Sequence, residues 1–313
     1  MISKTLYELG WKTLAAGLLL LVPVSMMAEG VQITATTTMV SDLVKEVGGK
    51  HVEVRGLMGP GVDPHLYKPS ASDVRALRKA ELIFYSGLFL EGRMGELFSK
   101  MKRGRKKVFA VTDSIPKALL LKPAGFQGHA DPHVWGDVQL WQNTVQEVVK
   151  GLIKVDPSHE NDYRKSGKRV EKEFAELHQW ALKRIQVIPE SNRLLVTSHD
   201  AFNYFGRAYG LEVIGVQGIS TVSEAGLADI TKVVDLVRER GIKAIFAESS
   251  VSQATIKRIS KDSGARIGGE LFSDACGTPG DFHRIGGESY DVGTYVGMIK
   301  HNVNTIVDAL KGT

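Results

Sequence analysis

Residues 159–188 read HENDYRKSGKRVEKEFAELHQWALKRIQVI, and their length decides the architecture. The stretch has no proline, and Val170, Phe174, Leu177, Ala181, Leu182 and Ile185 recur at helical spacing. A helix of about 30 residues is roughly 45 Å long, more than a strand–helix–strand crossover needs. A coiled-coil arm is one reading; one rigid helix bridging two lobes explains the flanks better.

Those flanks alternate strand and helix. Upstream, VQITATT (31–37), VEVRGLM (52–58), LIFYSG (82–87) and KVFAVT (107–112) read as strands. SDLVKEVGG reads as a helix stopped by Gly48 and Gly49, and a second helix is expected over 70–81, with Ser70 and Asp73 at capping-box spacing. Downstream, LLVTS (194–198), EVIGV (212–216), AIFAE (244–248) and ARIGGELF (265–272) are strands, with helices near 200–209, 224–240 and 252–263. Strands alternating with helices imply parallel sheets. The expectation is therefore an α/β protein of two (β/α) lobes with parallel sheets, joined by a single long backbone helix. Its divisions are a signal peptide (1–28), an N-terminal lobe (29–158), the linking helix (159–188) and a C-terminal lobe (189–313).

The first 28 residues have the layout of an export signal. Lys4 and Lys12 precede an apolar run, Leu14 to Val24, too short to span a bilayer comfortably, and small residues follow near Ala28. Removal near Ala28 is expected, an uncleaved anchor being the alternative, and the destination is the periplasm. The single cysteine, Cys276, makes no intramolecular disulfide and lies too far from the signal to carry a lipid. The formal charge of +5 is spread out, and KRGRKK (102–107) reads as a solvated loop or helix end. Nothing here resembles a nucleic-acid surface.

Chemistry concentrates in four places. Asp63-Pro64-His65 and Asp131-Pro132-His133 repeat one tripeptide, in which proline keeps the preceding aspartate out of helical geometry and stiffens the loop. His199 follows the buried run LLVTS, and Asp274 follows the last strand of the second lobe. Ligands of open α/β sheets sit at the carboxyl ends of strands, so each lobe aims two groups into the crevice between them. Three imidazoles and a carboxylate without thiolate suit Zn²⁺, and can hold Mn²⁺ or Fe²⁺. Ligating imidazoles usually donate their other nitrogen to an acceptor; Asp63, Asp131, Asp200 and Glu248 are the candidates. His129 reads as an exposed loop residue, His159 and His178 as surface positions on the long helix, and Cys276 as a packing residue. His51, His283 and His301 belong to no motif.

GVDPHLYKPSASD, DPHVWGD, SHDAFNYFGRAYGL, GISTVSEAG, AIFAESS, GGELFSDACG and TYVGMIKHNVNTIVDAL together resemble the zinc and manganese solute-binding proteins of ABC transporters, most of all the TroA type. The resemblance spans nearly the whole chain after the signal. It implies two lobes on one backbone helix, a metal in the cleft between them, and delivery by a monomer to a membrane permease. The family's ligand pattern falls on His65, His133, His199 and Asp274. Members resembling dedicated manganese binders carry Glu where this chain has His199, which favours Zn²⁺. The zinc members of the ZnuA type carry a His- and acid-rich loop, however, and AGFQGHA (124–130) is short and nearly uncharged. Zn²⁺ is the expected cargo and Mn²⁺ the alternative. A secreted zinc hydrolase is disfavoured: there is no HExxH, and four protein ligands leave no position for water. An adhesin would need a surface that no motif marks.

Overall fold

In the computed structural model, residues 30–126, 128–285 and 287–312 are described; the expected signal segment, 1–28, lies outside them. The first lobe is a four-stranded parallel sheet of β1 (Val31–Ala35), β2 (Val52–Gly56), β3 (Leu82–Tyr85) and β4 (Lys107–Ala110), in the order β2-β1-β3-β4. Helix α1 (Thr38–Gly48) connects β1 to β2; Thr37 caps it by accepting the Val40 N–H. Helix α2 (Ala71–Lys79) leads into β3 behind the expected capping box of Ser70 and Asp73. Helices α3 (Met94–Arg103), α4 (Val138–Trp141) and α5 (Thr144–Val155) complete the lobe. The basic run 102–107 spans the end of α3 and the start of β4.

The long helix α6 runs Glu160–Ile185, 26 residues or roughly 39 Å. Its buried face is Tyr163, Gly167, Val170, Phe174, Leu177, His178, Ala181 and Ile185. Each large apolar member of that face contributes about 1.5–3 kcal/mol on full burial. His178, read from sequence as a surface residue, is buried, because it shares the stripe of Phe174 and Ala181 and meets the Tyr209 hydroxyl at 3.4 Å.

The second lobe pairs β5 (Leu194–Thr197) with β6 (Glu212–Gly215) and β7 (Ala244–Glu248) with β8 (Arg266–Leu271), both parallel, and β5 lies beside β7. Helices α7 (Asn203–Tyr209), α8 (Leu227–Glu239) and α9 (Ala254–Ser263) connect them. The chain then makes an antiparallel hairpin of β9 (Phe282–Ile285) and β10 (Glu288–Asp291), followed by α10 (Tyr295–Leu310). The sequence reading contained no such hairpin, although Gly286-Gly287 between two short runs is its turn signal.

Helix α6 packs against α1, α4 and α5 of the first lobe and α10 of the second. One apolar core runs from Ile33, Val44 and Phe84 through Trp141 and Phe174 to Phe246, Leu271 and Ile306. The lobes therefore share their interior. Among the described residues, no helix is long and apolar enough to cross a membrane.

Candidate metal centre

The repeated Asp-Pro-His tripeptide has one local geometry. Asp63 Oδ1 accepts the His65 backbone N–H at 2.8 Å, and Asp131 Oδ1 accepts that of His133 at 2.9 Å. The proline between them has no N–H, so the carboxylate closes the turn onto the histidine. Beyond the turn the two copies diverge. Asp131 Oδ1 also accepts His133 Nδ1–H at 2.8 Å, while its Oδ2 takes Asn203 Nδ2 at 3.1 Å. Asp63 turns Oδ2 across the cleft to the Thr221 hydroxyl at 2.5 Å.

His199 stands just past the end of β5. Glu248, at the end of the neighbouring β7, accepts its backbone N–H at 2.8 Å and its Nδ1–H at 2.5 Å. This loop packs directly on β6: a Cβ at Gly215 would lie 2.6 Å from the Asp200 nitrogen and 2.7 Å from the His199 carbonyl carbon. Asp274 follows β8, where the Ser250 hydroxyl donates to its Oδ2 at 3.1 Å.

The structure brings His65, His133, His199 and Asp274 together, with one donor atom from each lying within 4.8 Å of all the others. His65 Nε2 and His133 Nε2 are 3.2 Å apart, His133 Nε2 is 3.4 Å from Asp274 Oδ1, and His199 Nε2 is 3.3 Å from Asp274 Oδ2. Two bonds of about 2.0–2.1 Å on a tetrahedral Zn²⁺ put their donors about 3.3–3.4 Å apart, so these edges fit such a shell. His199 Nε2 and Asp274 Oδ1 are buried with no aligned hydrogen-bond partner among the described residues. Buried polar atoms are nearly always satisfied, and a cation would satisfy both.

Burial pushes the His65 imidazole down to about 3, which leaves it neutral. At His199 burial acts the same way, but the Glu248 and Asp274 carboxylates outweigh it and hold the ring well above the usual histidine range. Burial would raise the Asp274 carboxyl; the facing imidazoles, His199 foremost, instead hold it well below the carboxylate range. Asp131 is likewise kept low against its burial, chiefly by His133.

Of the four carboxylates considered as outer partners, Asp131 and Glu248 hold a ring nitrogen, and Asp63 holds the His65 backbone. Among the described residues, the Asp200 carboxylate bonds no imidazole; those of His133 and His199 are held by Asp131 and Glu248. Cys276 is fully buried two residues from Asp274, outside the donor group, and burial pushes its thiol up, away from the thiolate form a metal needs. His129 packs against Phe89 with ring centroids 4.0 Å apart and planes tilted by 44°, and with His65, Phe126 and Ser220 it lines the mouth of the cleft. Trp135 is a residue the sequence reading passed over. Its indole donates to the Ser273 carbonyl at 2.7 Å, tying the His133 loop to the Asp274 loop. Its place in DPHVWGD, two residues after the histidine, was the available signal.

Residues 33–309 match the family described as ZnuA, zinc-uptake complex component A, periplasmic. The manganese-binding lipoprotein MntA of Bacillus subtilis is 46% identical over 288 residues, covering 90% of each chain. The zinc-binding protein TroA of Treponema pallidum is 43% identical over 291 residues, again covering 90% of each. The solved structure of the periplasmic zinc-binding protein TroA from Treponema pallidum superposes with a TM-score of 0.84 at 41% identity, over 90% of this chain and 99% of that one.

Proposed function

This chain belongs to the ZnuA family of metal-uptake binding proteins, and from that premise we propose that it captures Zn²⁺ in the periplasm and delivers it to the permease of an ABC transporter. The observation that carries the reading is the set of 3.2–3.4 Å edges among His65, His133, His199 and Asp274. Three imidazole nitrogens and a carboxylate suit zinc in both softness and geometry. In this reading the four side chains are the ligands, with Asp131 and Glu248 fixing the tautomers of His133 and His199. The protein acts as a carrier and not as a hydrolase, since a shell of four protein donors keeps no position open for water. It works as a monomer beside its permease. Residues 1–28 direct export, 29–158 and 189–313 form the two lobes, and 159–188 is the span between them.

Manganese is the second reading. It is favoured by the 46% identity to a protein named as manganese-binding and by Asp274, whose two oxygens both face imidazoles. A bidentate Asp274 would supply a fifth donor, and oxygen donors suit Mn²⁺. Competitive titration of metal-stripped protein with Zn²⁺ and Mn²⁺, read by elemental analysis, separates the two. One equivalent of zinc that manganese does not displace supports the zinc carrier; comparable retention of manganese supports a dual carrier. Unchanged zinc affinity in His199→Ala would remove the four-ligand site altogether.

A further inference from the structure

A second pair of histidines faces inward at the outer edge of the second lobe. His283 lies on β9 and His301 on α10, and their Nδ1 atoms are 3.1 Å apart. Each ring uses its other nitrogen elsewhere. His301 Nε2 is 2.9 Å from the Glu270 carbonyl oxygen, and His283 Nε2 is 3.3 Å from Asp281 Oδ2. A carbonyl and a carboxylate only accept, so where both contacts are made each Nε2 carries hydrogen. In a neutral imidazole the lone pair is then on Nδ1. The Thr305 hydroxyl, 3.4 Å from His301 Nε2, accepts from that same N–H and leaves the assignment unchanged.

Two lone pairs therefore point at each other at 3.1 Å, and such a contact is repulsive unless a positive charge stands between them. Two species could supply it, a proton shared by the rings or a metal ion; the remaining arrangement, in which neutral His283 gives up its 3.3 Å contact to the exposed Asp281 and donates Nδ1–H to His301, costs that contact. Burial pushes the His301 imidazole down from its ordinary range, so a proton would have to be held by His283 on the solvent side, beside Asp281. The ammonium of Lys300, the residue before His301, is engaged 2.9 Å from Glu288 Oε2.

We propose that His283 and His301 form a second divalent-metal site, holding Zn²⁺ or an ion of similar softness through both Nδ1 atoms. The separation is near the edge of about 3.3–3.4 Å that two imidazoles span on a tetrahedral zinc. Outer nitrogens tied to a carboxylate and a carbonyl are the arrangement that orients ligating histidines. His301 is 9% exposed and the His283 side chain 33% exposed, so the pair is rigid on the helix side and open to solvent on the hairpin side. Water completes the shell there. The site shares no residue with the cleft and offers two protein donors against four, so it is the weaker of the two.

Zinc titration of the metal-stripped protein, followed by calorimetry and elemental analysis, tests this. The expected result is two classes of site in the wild type: a tight equivalent in the cleft and a weaker one that disappears in His283→Ala. His283→Asn, with a thermal melt on both variants, controls for folding, and both should keep the tight equivalent. Ring-¹⁵N spectra give an independent readout: zinc beyond the first equivalent should move the Nδ1 resonances of His283 and His301 while both Nε2 atoms stay protonated. A single equivalent in the wild type, or a weak equivalent that survives both substitutions, overturns the proposal. So does a pair of Nδ1 signals that ignores zinc because the rings share a proton.

Discussion

Glu248→Gln is the substitution whose outcome follows most directly from the geometry. Glu248 is fully buried and accepts two N–H groups of His199, from the backbone at 2.8 Å and from Nδ1 at 2.5 Å. Glutamine keeps the shape but has one carbonyl oxygen, so one of the two donors must face its NH₂ group. If that donor is Nδ1–H, the ring is pushed to the other tautomer and Nε2, the atom aimed at the metal, acquires the hydrogen. Losing such a partner weakens metal binding by about 10–100-fold, or about 1.4–2.7 kcal/mol. A second effect opposes the first. Burial lowers His199, and Glu248 is the leading charge that keeps it protonated, so in the wild type the metal must displace a proton from this ring. Removing Glu248 relieves that competition. The loss should therefore be largest at alkaline pH and shrink as the pH falls, and log affinity should fall less steeply with acid in the variant than in the wild type. Zinc competition against a chromophoric chelator across a range of pH measures both quantities. Equal affinities at high pH, or parallel pH curves for the two proteins, would refute the reasoning.

Thr221→Val removes the hydroxyl that donates to Asp63 across the cleft; a net hydrogen bond of about 1 kcal/mol corresponds to a roughly fivefold faster metal release in stopped-flow chelation, and an unchanged rate would show that this bond does not restrain the cleft. Burial pushes the Asp42 carboxyl up to about 6, against the Tyr295 N–H that it accepts. The folded state thus holds this proton more tightly than the unfolded chain, and stability falls as pH rises from about 4 through about 6. Asp42→Asn keeps an acceptor for Tyr295 and should stabilise the protein by about 1–3 kcal/mol above that window and not below it, as denaturation at the two pH values would reveal; a gain at acid pH instead would reverse the sign. Gly215→Ala puts a methyl group against the backbone of the His199 loop. It should destabilise the fold by about 1–3 kcal/mol and weaken zinc binding with it, whereas a neutral melt would mean that the loop yields.

Much of the fold is written locally. LIFY, LLVT and AIFAE are short apolar, β-branched or aromatic runs, and all four residues of β3 and β5 and all five of β7 pair as strands. Ser70 and Asp73 mark the start of α2 within one residue. His65 and His133 were visible because Asp-Pro-His is a local device, complete within three residues, and His199 because it follows the buried run LLVTS. What stayed hidden depends on partners far along the chain. Nothing in DPHVWGD says that the Trp135 indole reaches the Ser273 carbonyl 138 residues away, and nothing near Asp63 points to Thr221. Asp200 illustrates the same limit: it adjoins His199 in sequence, yet Glu248, from another strand, is the carboxylate on that ring. The burial of His178 was within reach, since Phe174, His178 and Ala181 share one helical face, but its polar character argued the other way.

The distribution of contacts between the lobes also bears on how the ion leaves. At the floor of the cleft the two halves are fused. The Tyr295 hydroxyl donates to the Trp135 carbonyl at 2.7 Å, the Trp135 indole donates to Ser273, the Tyr204 hydroxyl donates to the Asp131 carbonyl at 2.9 Å, and apolar core surrounds them. Opening there would break several buried hydrogen bonds at about 1 kcal/mol or more each and expose tightly packed core. At the rim, among the described residues, the His65 loop reaches the second lobe through the hydrogen bond from the Thr221 hydroxyl to Asp63. His65 lines the mouth of the cleft beside Phe89, Phe126 and His129, while His133 and His199 are fully buried. On the proposed four-ligand reading, the first side chain to yield is therefore His65, and the bond that breaks with it is the one from its own turn carboxylate. On that reading, release is expected as a movement of the 61–66 loop away from the floor, with the Asp63–Thr221 bond the first to break.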